Sequence, residues 1–254
     1  MSFDQTNSGR RYFFKKTLAT SVYLSFLPHL IFAQKQKIQN LSQTSLQKLE
    51  SKYIPMVRLP YSPDALQPYI SEKTIRLHYY NHHRSYHTRL LQYIKQNPDY
   101  DKIPLELLLL RTKGGIFIED TLYNIGILLW NHNLYWQSMK PKGGILPESQ
   151  SELTKQIIVT YGSVNEFKKK FIQKVYDVDV GWVWLVKTND SVEILRTLYH
   201  EAPIPSMNPI LCTIDMWEHA YYIDYGRDIQ KYAENYLDHL VNWEQAEQLF
   251  TGQE

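Results

Sequence analysis

The sequence predicts an α+β protein, with an N-terminal helical hairpin plus a C-terminal domain in which helices frame a small three-stranded antiparallel sheet. Two observations support this class. Helix caps and helix breakers divide the chain up to Tyr176 into helices, whereas three later segments are short and rich in Val, Ile, Leu and Trp. Helices first and a few strands afterwards are typical of α+β domains.

Three helices are expected in the hairpin. Ser71 offers an N-cap for the first, and Glu72 follows in the first turn, where the helix dipole favours an acidic side chain. The glycine pair after residue 113 ends the second helix. The expected helices cover residues 72 to about 97, 104 to about 111 and 118 to 137, and ordered structure should begin near residues 57–61.

The C-terminal domain follows a loop at residues 140–144. Ser163 and Glu166 have the spacing of a capping box, which predicts a helix up to about Tyr176. Three strands and a final helix are expected at residues 181–187, 192–198, 210–216 and about 228–250, with a turn at Asn189-Asp190.

Composition bounds the function classes. The 254 residues, 43% of them hydrophobic, are enough for one large or two small domains with a sizeable core. Since 28 Lys and Arg face 26 Asp and Glu, the net charge of +2 is too small to indicate a nucleic-acid-binding protein. A single cysteine, Cys212, excludes an intramolecular disulfide framework and a cage of thiolate ligands.

The first 33 residues resemble an export signal. They carry four basic side chains and one acidic one, so the rest of the chain has a net charge of −1. Adjacent Arg10 and Arg11 precede a mostly apolar stretch ending at Ala33, an order similar to twin-arginine signals. We expect cleavage near Ala33 and a periplasmic or secreted protein without membrane contact. An uncleaved membrane anchor and a disordered basic tail are the alternatives.

The chain is accordingly divided into four parts. These are a signal peptide at residues 1–33, a polar linker at 34–56, the helical-hairpin domain at 57–140 and the C-terminal α/β domain at 141–254. Beyond the signal, no segment is long and apolar enough to span a bilayer.

Histidines on the first helix form one candidate part of a site. His78, His82 and Tyr86 have the spacing that stacks side chains along one helix face. Spacing alone does not distinguish a metal site from a solvent-exposed helix face, or from core histidines whose hydrogen bonds are satisfied within the protein.

The other candidate ligands lie further along the chain. His132 lies in the third helix, and Asp215 ends an apolar strand four residues before His219. A buried carboxylate is costly unless it is paired or binds a metal, and neutral imidazoles with one carboxylate suit Fe, Mn or Zn. Aromatic side chains that would keep such a site dry are Trp130, Trp182 and Trp217.

Several ordered motifs resemble the iron/manganese superoxide dismutase family, over residues 57–249. In chain order they are Leu59-Pro-Tyr61, His78-x-x-x-His82-His83-x-x-Tyr86, Trp130-Asn-His132-x-x-Tyr-Trp136, Gly181-Trp-x-Trp184-Leu, Asp215-x-Trp217-Glu218-His219-Ala-Tyr-Tyr222 and Val241-Asn-Trp243. The motif that begins at Asp215 is the most specific of them.

This resemblance implies a metal site and a reaction. The family alternates its metal between M(III) and M(II), so that one superoxide is oxidised to oxygen and the next is reduced to hydrogen peroxide. The chain is therefore expected to be a superoxide dismutase with one Fe or Mn ion per subunit. The implied ligands are His78, His132, Asp215 and His219.

The resemblance also implies roles around the metal. Tyr86 and His82 match the pair that relays protons at the substrate channel. Tyr222 matches the residue that bonds this histidine across a dimer interface, and Glu218 the one that bonds His219 of the partner subunit. A homodimer or a tetramer is therefore expected. Pocket-lining positions of the family are matched by Trp182 and Trp217.

The chain departs from the family at a glutamine near the metal-bound solvent. Leu128 occupies the position of this glutamine in the iron branch, and its other usual position aligns on His200. We predict that His200 hydrogen-bonds the solvent instead. The segment after Tyr225 also lacks the usual Arg-Pro ending, so Arg227 is the candidate for the cation at the channel mouth.

Two other functions fit the same residues. A zinc hydrolase could use three histidines and one aspartate, but no general base stands out and the aromatic residues leave little room for a bulky substrate. A metal-binding or adhesion protein without activity could keep the scaffold, but the complete ligand set with Tyr86 and His82 argues against it.

Overall fold

The computed structural model describes residues 53–146, 151–189, 191–203 and 208–252. The expected signal peptide and most of the expected linker lie outside these residues, as does Asp190 of the expected turn. In the described part of the chain, no helix is both long and apolar enough to cross a membrane.

Helix α1 opens the hairpin and consists of three consecutive segments. α-Helical Glu72–Ile75 leads into π-helical Arg76–His83, which continues as α-helical Arg84–Gln96. The Ser71 hydroxyl accepts a hydrogen bond from the Thr74 amide, which confirms the expected N-cap. The π-helical segment was not expected from the sequence.

Helices α2 (Leu105–Thr112) and α3 (Ile118–Gln137) complete the hairpin close to their expected bounds. A short 3₁₀ turn at Pro98–Tyr100 links α1 to α2. Helix α3 packs against both other helices. Gly126 lies at this contact, where an added Cβ would come within 3.0 Å of a Leu109 methyl group. A small residue thus lets α2 and α3 approach each other closely.

Residues 53–57, here called the strap, hydrogen-bond to both long helices of the hairpin. His87 Nε2 in α1 donates to the Ile54 carbonyl at 3.0 Å, and Asn133 Oδ1 in α3 accepts from the Val57 amide at 2.8 Å. The strap is therefore part of the folded hairpin.

Two helices precede the sheet, and the sequence predicted one of them. In α5 (Val164–Tyr176) the Ser163 hydroxyl accepts from the Glu166 amide as expected. The Glu166 carboxylate pairs with Lys169 at 2.7 Å, in place of the return bond of a full capping box. Helix α4 (Glu152–Tyr161) has no counterpart in the prediction.

The sheet is antiparallel, with strand order β2-β1-β3, as predicted. Trp182 of the central strand pairs with Asp215 of β3, so the two side chains lie on the same face of the sheet. The register shifts between Leu185 and Val186, after three further residue pairs. The strands are β1 (Gly181–Lys187), β2 (Val192–Leu198) and β3 (Ile210–Asp215).

The prediction of one continuous final helix at residues 228–250 is wrong. The chain breaks after residue 240 because Val241 pairs with Met139 as an isolated bridge and Asn242 caps a new helix. The helices after the sheet are α6 (Glu218–Tyr225), α7 (Ile229–Asn235, continued by π-helical Tyr236–Leu240) and α8 (Trp243–Thr251).

Candidate metal centre

Four expected ligands meet between the hairpin and the sheet. His78 lies on the π-helical part of α1 and His132 on α3, while Asp215 ends β3 and His219 is the second residue of α6. One nitrogen or oxygen atom of each lies within 4.8 Å of those of the other three. The first three residues are buried, and the His219 side chain is 25% exposed.

The Nε2 atoms of the three histidines converge on one carboxylate oxygen. Asp215 Oδ2 lies 3.3 Å from His78 Nε2, 3.3 Å from His219 Nε2 and 3.6 Å from His132 Nε2. Atoms held about 2.1 Å from a common metal at angles of roughly 90–120° lie about 3.0–3.6 Å apart. The four donor atoms therefore have the spacing of a metal site.

The hydrogen bonding of the histidines agrees with this spacing. Nε2 of His78 and Nε2 of His132 are buried and have no hydrogen-bond partner among the described residues. Buried polar atoms ordinarily have a partner. A metal ion is the partner that this donor set fits.

Electrostatics give each group the charge that metal binding needs. Burial, followed by the nearby His219, lowers the pKa of His78 to about 4, and burial lowers the pKa of His132 well below its ordinary value. Burial alone would raise the pKa of the Asp215 carboxyl, but His219 and His78 lower it below its ordinary value. Near pH 7, His78 and His132 thus offer neutral nitrogen donors and Asp215 an anionic oxygen.

Outer hydrogen bonds fix the orientation of two ligands. His132 Nδ1 donates to the Leu128 carbonyl at 2.6 Å, which leaves the Nε2 lone pair directed into the site. Asp215 Oδ1 accepts from the Trp217 amide at 2.9 Å, which leaves Oδ2 to the histidines.

Tyr86 and His82 lie together beside the four ligands. The Tyr86 hydroxyl is 2.9 Å from His82 Nε2, and the His82 ring lies 3.9 Å from the His219 ring. Burial raises the pKa of Tyr86 to about 12 and lowers that of His82 to about 3. The phenol therefore keeps its proton near pH 7 and donates a hydrogen bond to the neutral imidazole.

An open cavity of about 430 Å³, here called the cleft, connects His82 to the surface. His82 lines it together with two of the proposed ligands, so a small molecule can reach the four-residue cluster from outside. The lining residues are Leu77, His78, Asn81, His82, Ser85, His219 and Ile223.

The tryptophans lie at different depths around the site. The Trp182 ring is 5.1 Å from the His132 ring, and the Trp217 ring stacks on His219 at 6.1 Å. Trp130 lies one layer further out, since it packs on Trp184 at 6.2 Å.

Two wall residues were missed from the sequence. The Trp136 ring lies 4.7 Å from His78, and its Nε1 donates to His83 at 3.1 Å. The Tyr135 ring lies 5.4 Å from His78. Because Trp136 follows His132 by one helical turn, i to i+4 spacing on a buried face was a signal that could have found it.

His200 lies at the edge of the site through its backbone. Asn131 Nδ2 donates to the His200 carbonyl at 3.0 Å, while the imidazole faces Tyr123 at 6.3 Å and Glu201 at 3.7 Å. Asn131 Oδ1 and Trp182 Nε1 are buried without a hydrogen-bond partner among the described residues. A contact between the His200 side chain and metal-bound solvent stays a prediction.

Glu218 and Tyr222, the residues expected at a subunit interface, are both exposed on α6. Tyr222 is 50% exposed, and its neighbour Ile223, which lines the cleft, is 46% exposed. Leu77 adds a further apolar side chain on the opposite side of the cleft, at 43% exposure.

Comparison with known proteins gives a consistent result over both parts of the fold. Residues 54–140 match the family model for the α-hairpin domain of iron/manganese superoxide dismutases, and residues 149–249 match the model for their C-terminal domain.

Individual relatives agree with these matches. The iron superoxide dismutase of Coxiella burnetii is 39% identical over 188 residues, which is 73% of this chain and 92% of the relative. That of Bordetella pertussis is 39% identical, covering 76% of this chain and 96% of the relative. A manganese/iron superoxide dismutase of Rickettsia typhi is 32% identical, covering 74% and 89%.

Proposed function

The chain belongs to the iron/manganese superoxide dismutase family and is a superoxide dismutase, and we propose that it works outside the cytoplasm as a homodimer with one iron ion per subunit. The convergence of three Nε2 atoms on Asp215 Oδ2 is the observation that carries the assignment of the site. Iron is proposed because it is the metal named for the two relatives at 39% identity, and manganese is the alternative.

Each proposed ligand would offer the metal one specific donor atom. His78, His132 and His219 would offer Nε2 atoms, and Asp215 would offer Oδ2. The bound metal would supply the M(III)/M(II) couple, which takes an electron from one superoxide and gives it to the next. The aromatic walls around His132 and His219 would exclude bulk water and larger reactants.

Peroxide formation also consumes two protons for each superoxide reduced. Tyr86 holds a proton on its hydroxyl, 2.9 Å from His82 Nε2, and His82 lines the cleft. We propose that the Tyr86 hydroxyl gives up this proton and regains one through His82 from water in the cleft. The high pKa of Tyr86 keeps the hydroxyl protonated between turnovers.

The exposed face of α6 is proposed as the dimer interface. The partner's Tyr222 would reach His82, and the partner's Glu218 would reach His219, so both subunits would contribute to each site. Light scattering on the purified protein tests this proposal. A monomer with full activity would contradict it.

Export is proposed from the first 33 residues. Fractionation of the source cells, followed by mass spectrometry of the purified N-terminus, should find the protein outside the cytoplasm and beginning near residue 34. An intact Met1 on the exported protein would contradict cleavage.

One set of measurements tests the metal assignment. The protein is purified, its Fe, Mn and Zn are quantified, and superoxide removal is assayed after reloading with each metal. We expect about one Fe per chain and activity with Fe. Activity with Mn alone would contradict the choice of metal.

His200 can be tested in the same assay. If it bonds the metal-bound solvent, His200→Ala should change both the reduction potential of the bound metal and the activity, and His200→Gln should restore the potential in part. An unchanged potential in both variants would contradict this role.

A further inference from the structure

Superoxide is an anion, yet the described residues that line the cleft include neither Lys nor Arg. The polar side chains of this lining are those of His78, Asn81, His82, Ser85 and His219. The buried Asp215 carboxylate adds a negative charge close enough to affect the Tyr86 hydroxyl. A lysine or arginine of this chain that attracts superoxide to the cleft would therefore lie outside the described lining.

Arg89 has the right place on α1. It follows Tyr86 by three residues and Ser85, which lines the cleft, by four, in the α-helical segment Arg84–Gln96. Side chains at these spacings are neighbours on a helix surface, with about 5–6 Å between Cβ atoms. These spacings place Arg89 next to Ser85 and Tyr86 on the surface of α1, and hence beside the rim of the cleft at Ser85.

The charge of Arg89 is not neutralised by an acidic neighbour among the described residues. Its side chain is exposed and forms no ion pair with an acidic residue in the described part of the chain. Burial and Asp215 raise the pKa of Tyr86, and Arg89 opposes them. Arg89 is therefore close enough to Tyr86 for its charge to act on this hydroxyl.

Other arginines of α1 are engaged elsewhere. Arg76 and Arg84 lie over the Tyr80 ring, at 6.0 and 5.8 Å from its centroid. Arg76 also pairs with Glu72 at 2.7 Å. Arg84 therefore provides a matched control, because it is an exposed arginine of the same helix that faces a different side chain.

We propose that Arg89 is the positioning residue that attracts superoxide to the cleft and holds the anion beside Tyr86. This inference rests on the proposed site at the four ligands. It assigns the rim charge to α1, whereas the sequence suggested Arg227. A charge at the mouth of a cleft raises the rate of encounter with an oppositely charged substrate, and salt screens the effect.

The test compares kcat/KM of wild type, Arg89→Ala, Arg89→Lys and Arg84→Ala as a function of ionic strength, using the metal-loaded protein. At about 10 mM salt, Arg89→Ala should lose about two- to fivefold, and the loss should vanish near 0.5 M. Arg89→Lys should stay within about twofold of wild type. Arg84→Ala changes the net charge equally but should keep the wild-type salt dependence.

A binding measurement provides a readout apart from turnover. The affinity for azide, a small monovalent anion, should fall for Arg89→Ala by a similar factor at low salt and be unchanged for Arg84→Ala. If wild type removes superoxide but the Arg89→Ala and wild-type salt dependences coincide, or both alanine variants lose equally, Arg89 has no steering role. An inactive wild type with full metal loading would instead overturn the proposed function itself.

Discussion

At the scale of single residues, Asp215 determines the charge of the site. Its Oδ2 is the atom on which the three imidazoles converge, while Oδ1 is held by the Trp217 amide. The Tyr232 hydroxyl donates a hydrogen bond to the Asp215 carbonyl at 3.2 Å, which further fixes the position of Asp215. One negative charge on three neutral donors leaves a net positive site when a di- or trivalent metal binds, which suits an anionic substrate.

The first prediction concerns this carboxylate. Asp215→Asn keeps the shape of the side chain but removes its charge. Metal affinity and activity should both fall by more than about 100-fold, since removing only an outer partner of a metal ligand typically costs 10–100-fold. Metal analysis and the superoxide assay measure both. Tyr86→Phe is the control, since this variant should keep its metal. Its activity should fall only about tenfold, because water can also supply protons, whereas removal of a general acid usually costs more. Retention of metal by Asp215→Asn would be inconsistent with its role as a ligand.

The second prediction concerns pH. The pKa of His78 is about 4 in the folded protein against about 6.5 when unfolded, so the unfolded state binds more protons between these values. The free energy of unfolding of the metal-free protein should therefore fall as pH drops from about 6.5 towards 4. Denaturant unfolding at several pH values tests this expectation.

His78→Gln is the matched variant for the pH experiment. It removes one titrating group, so the slope of unfolding free energy against pH should decrease by about 1.4 kcal/mol per pH unit in this range. An identical slope in wild type and variant would mean that His78 does not titrate as its burial requires.

The site residues differed in how far the sequence could locate them. The four expected ligands could be named because they occur in motifs whose order and spacing are family-specific. Spacing alone could not say where the His200 side chain points, because that depends on loop packing against Tyr123 and Glu201. Trp136 was overlooked as a wall residue because an aromatic on a helix next to a motif is usually core.

At the scale of elements, the regular parts of the fold were predictable and their interruptions were not. Helix α3 and strands β1 and β2 have the expected bounds because caps, breakers and β-branched runs mark them directly. The π-helical segments have no compositional signature, since they depend on how one extra residue is accommodated in a packed helix. Helix α4 was missed although Ser151 caps it by accepting from the Thr154 amide.

The π-helical segment of α1 matters for the site because it contains His78 and His82. A π-helical turn contains more residues than an α-helical one, so it changes the angle between side chains four apart. Here Tyr86 and His82 still meet at 2.9 Å, while the rings of His78 and His82 are 6.0 Å apart. One helix thus carries both an expected ligand and the proposed proton-relay pair, with different orientations.

The third prediction concerns the start of α3. Phe117 has φ 54° and ψ −111°, a conformation that glycine adopts readily and bulky residues do not, and its side chain is 85% exposed. Phe117→Gly should relieve the strain and stabilise the protein by about 1 kcal/mol, or about 2–4 °C in Tm. Calorimetry of the metal-loaded protein measures this change.

Ile116→Gly is the control for that variant. Ile116 is also exposed, at 69%, but it is not among the residues with positive φ. Glycine there should lower Tm slightly through the larger entropy of the unfolded chain. If both glycine variants shift Tm in the same direction, the effect does not come from the Phe117 backbone.

At the scale of the whole molecule, the strap ties the first described residues to the hairpin. Besides its bonds to His87 and Asn133, it accepts a hydrogen bond from the Tyr79 hydroxyl at the Val57 carbonyl, 2.7 Å. These partners lie on the same helices as His78 and His132. The strap therefore holds together the two helices that carry the first two ligands.

The fourth prediction follows from the strap. A chain beginning at residue 53 should keep the Tm and activity of the chain beginning at residue 34, because the strap bonds remain. A chain beginning at residue 58 leaves His87 and Asn133 without these partners and should lose several kcal/mol of stability, at about 1 kcal/mol per hydrogen bond. Thermal unfolding of the three chains decides the matter. Equal Tm values for the chains beginning at residues 53 and 58 would show that the strap does not contribute to stability.

The pairing of β3 with β1 has a consequence for how the protein matures. Asp215 shares a face with Trp182 only in the observed register, and a slip of one residue would turn the carboxylate to the opposite side of the sheet. In a chain with slipped strands, the expected carboxylate ligand would point away from His78, His132 and His219. Metal uptake would therefore favour the correctly paired sheet, because only that pairing brings Asp215 Oδ2 to the three imidazoles.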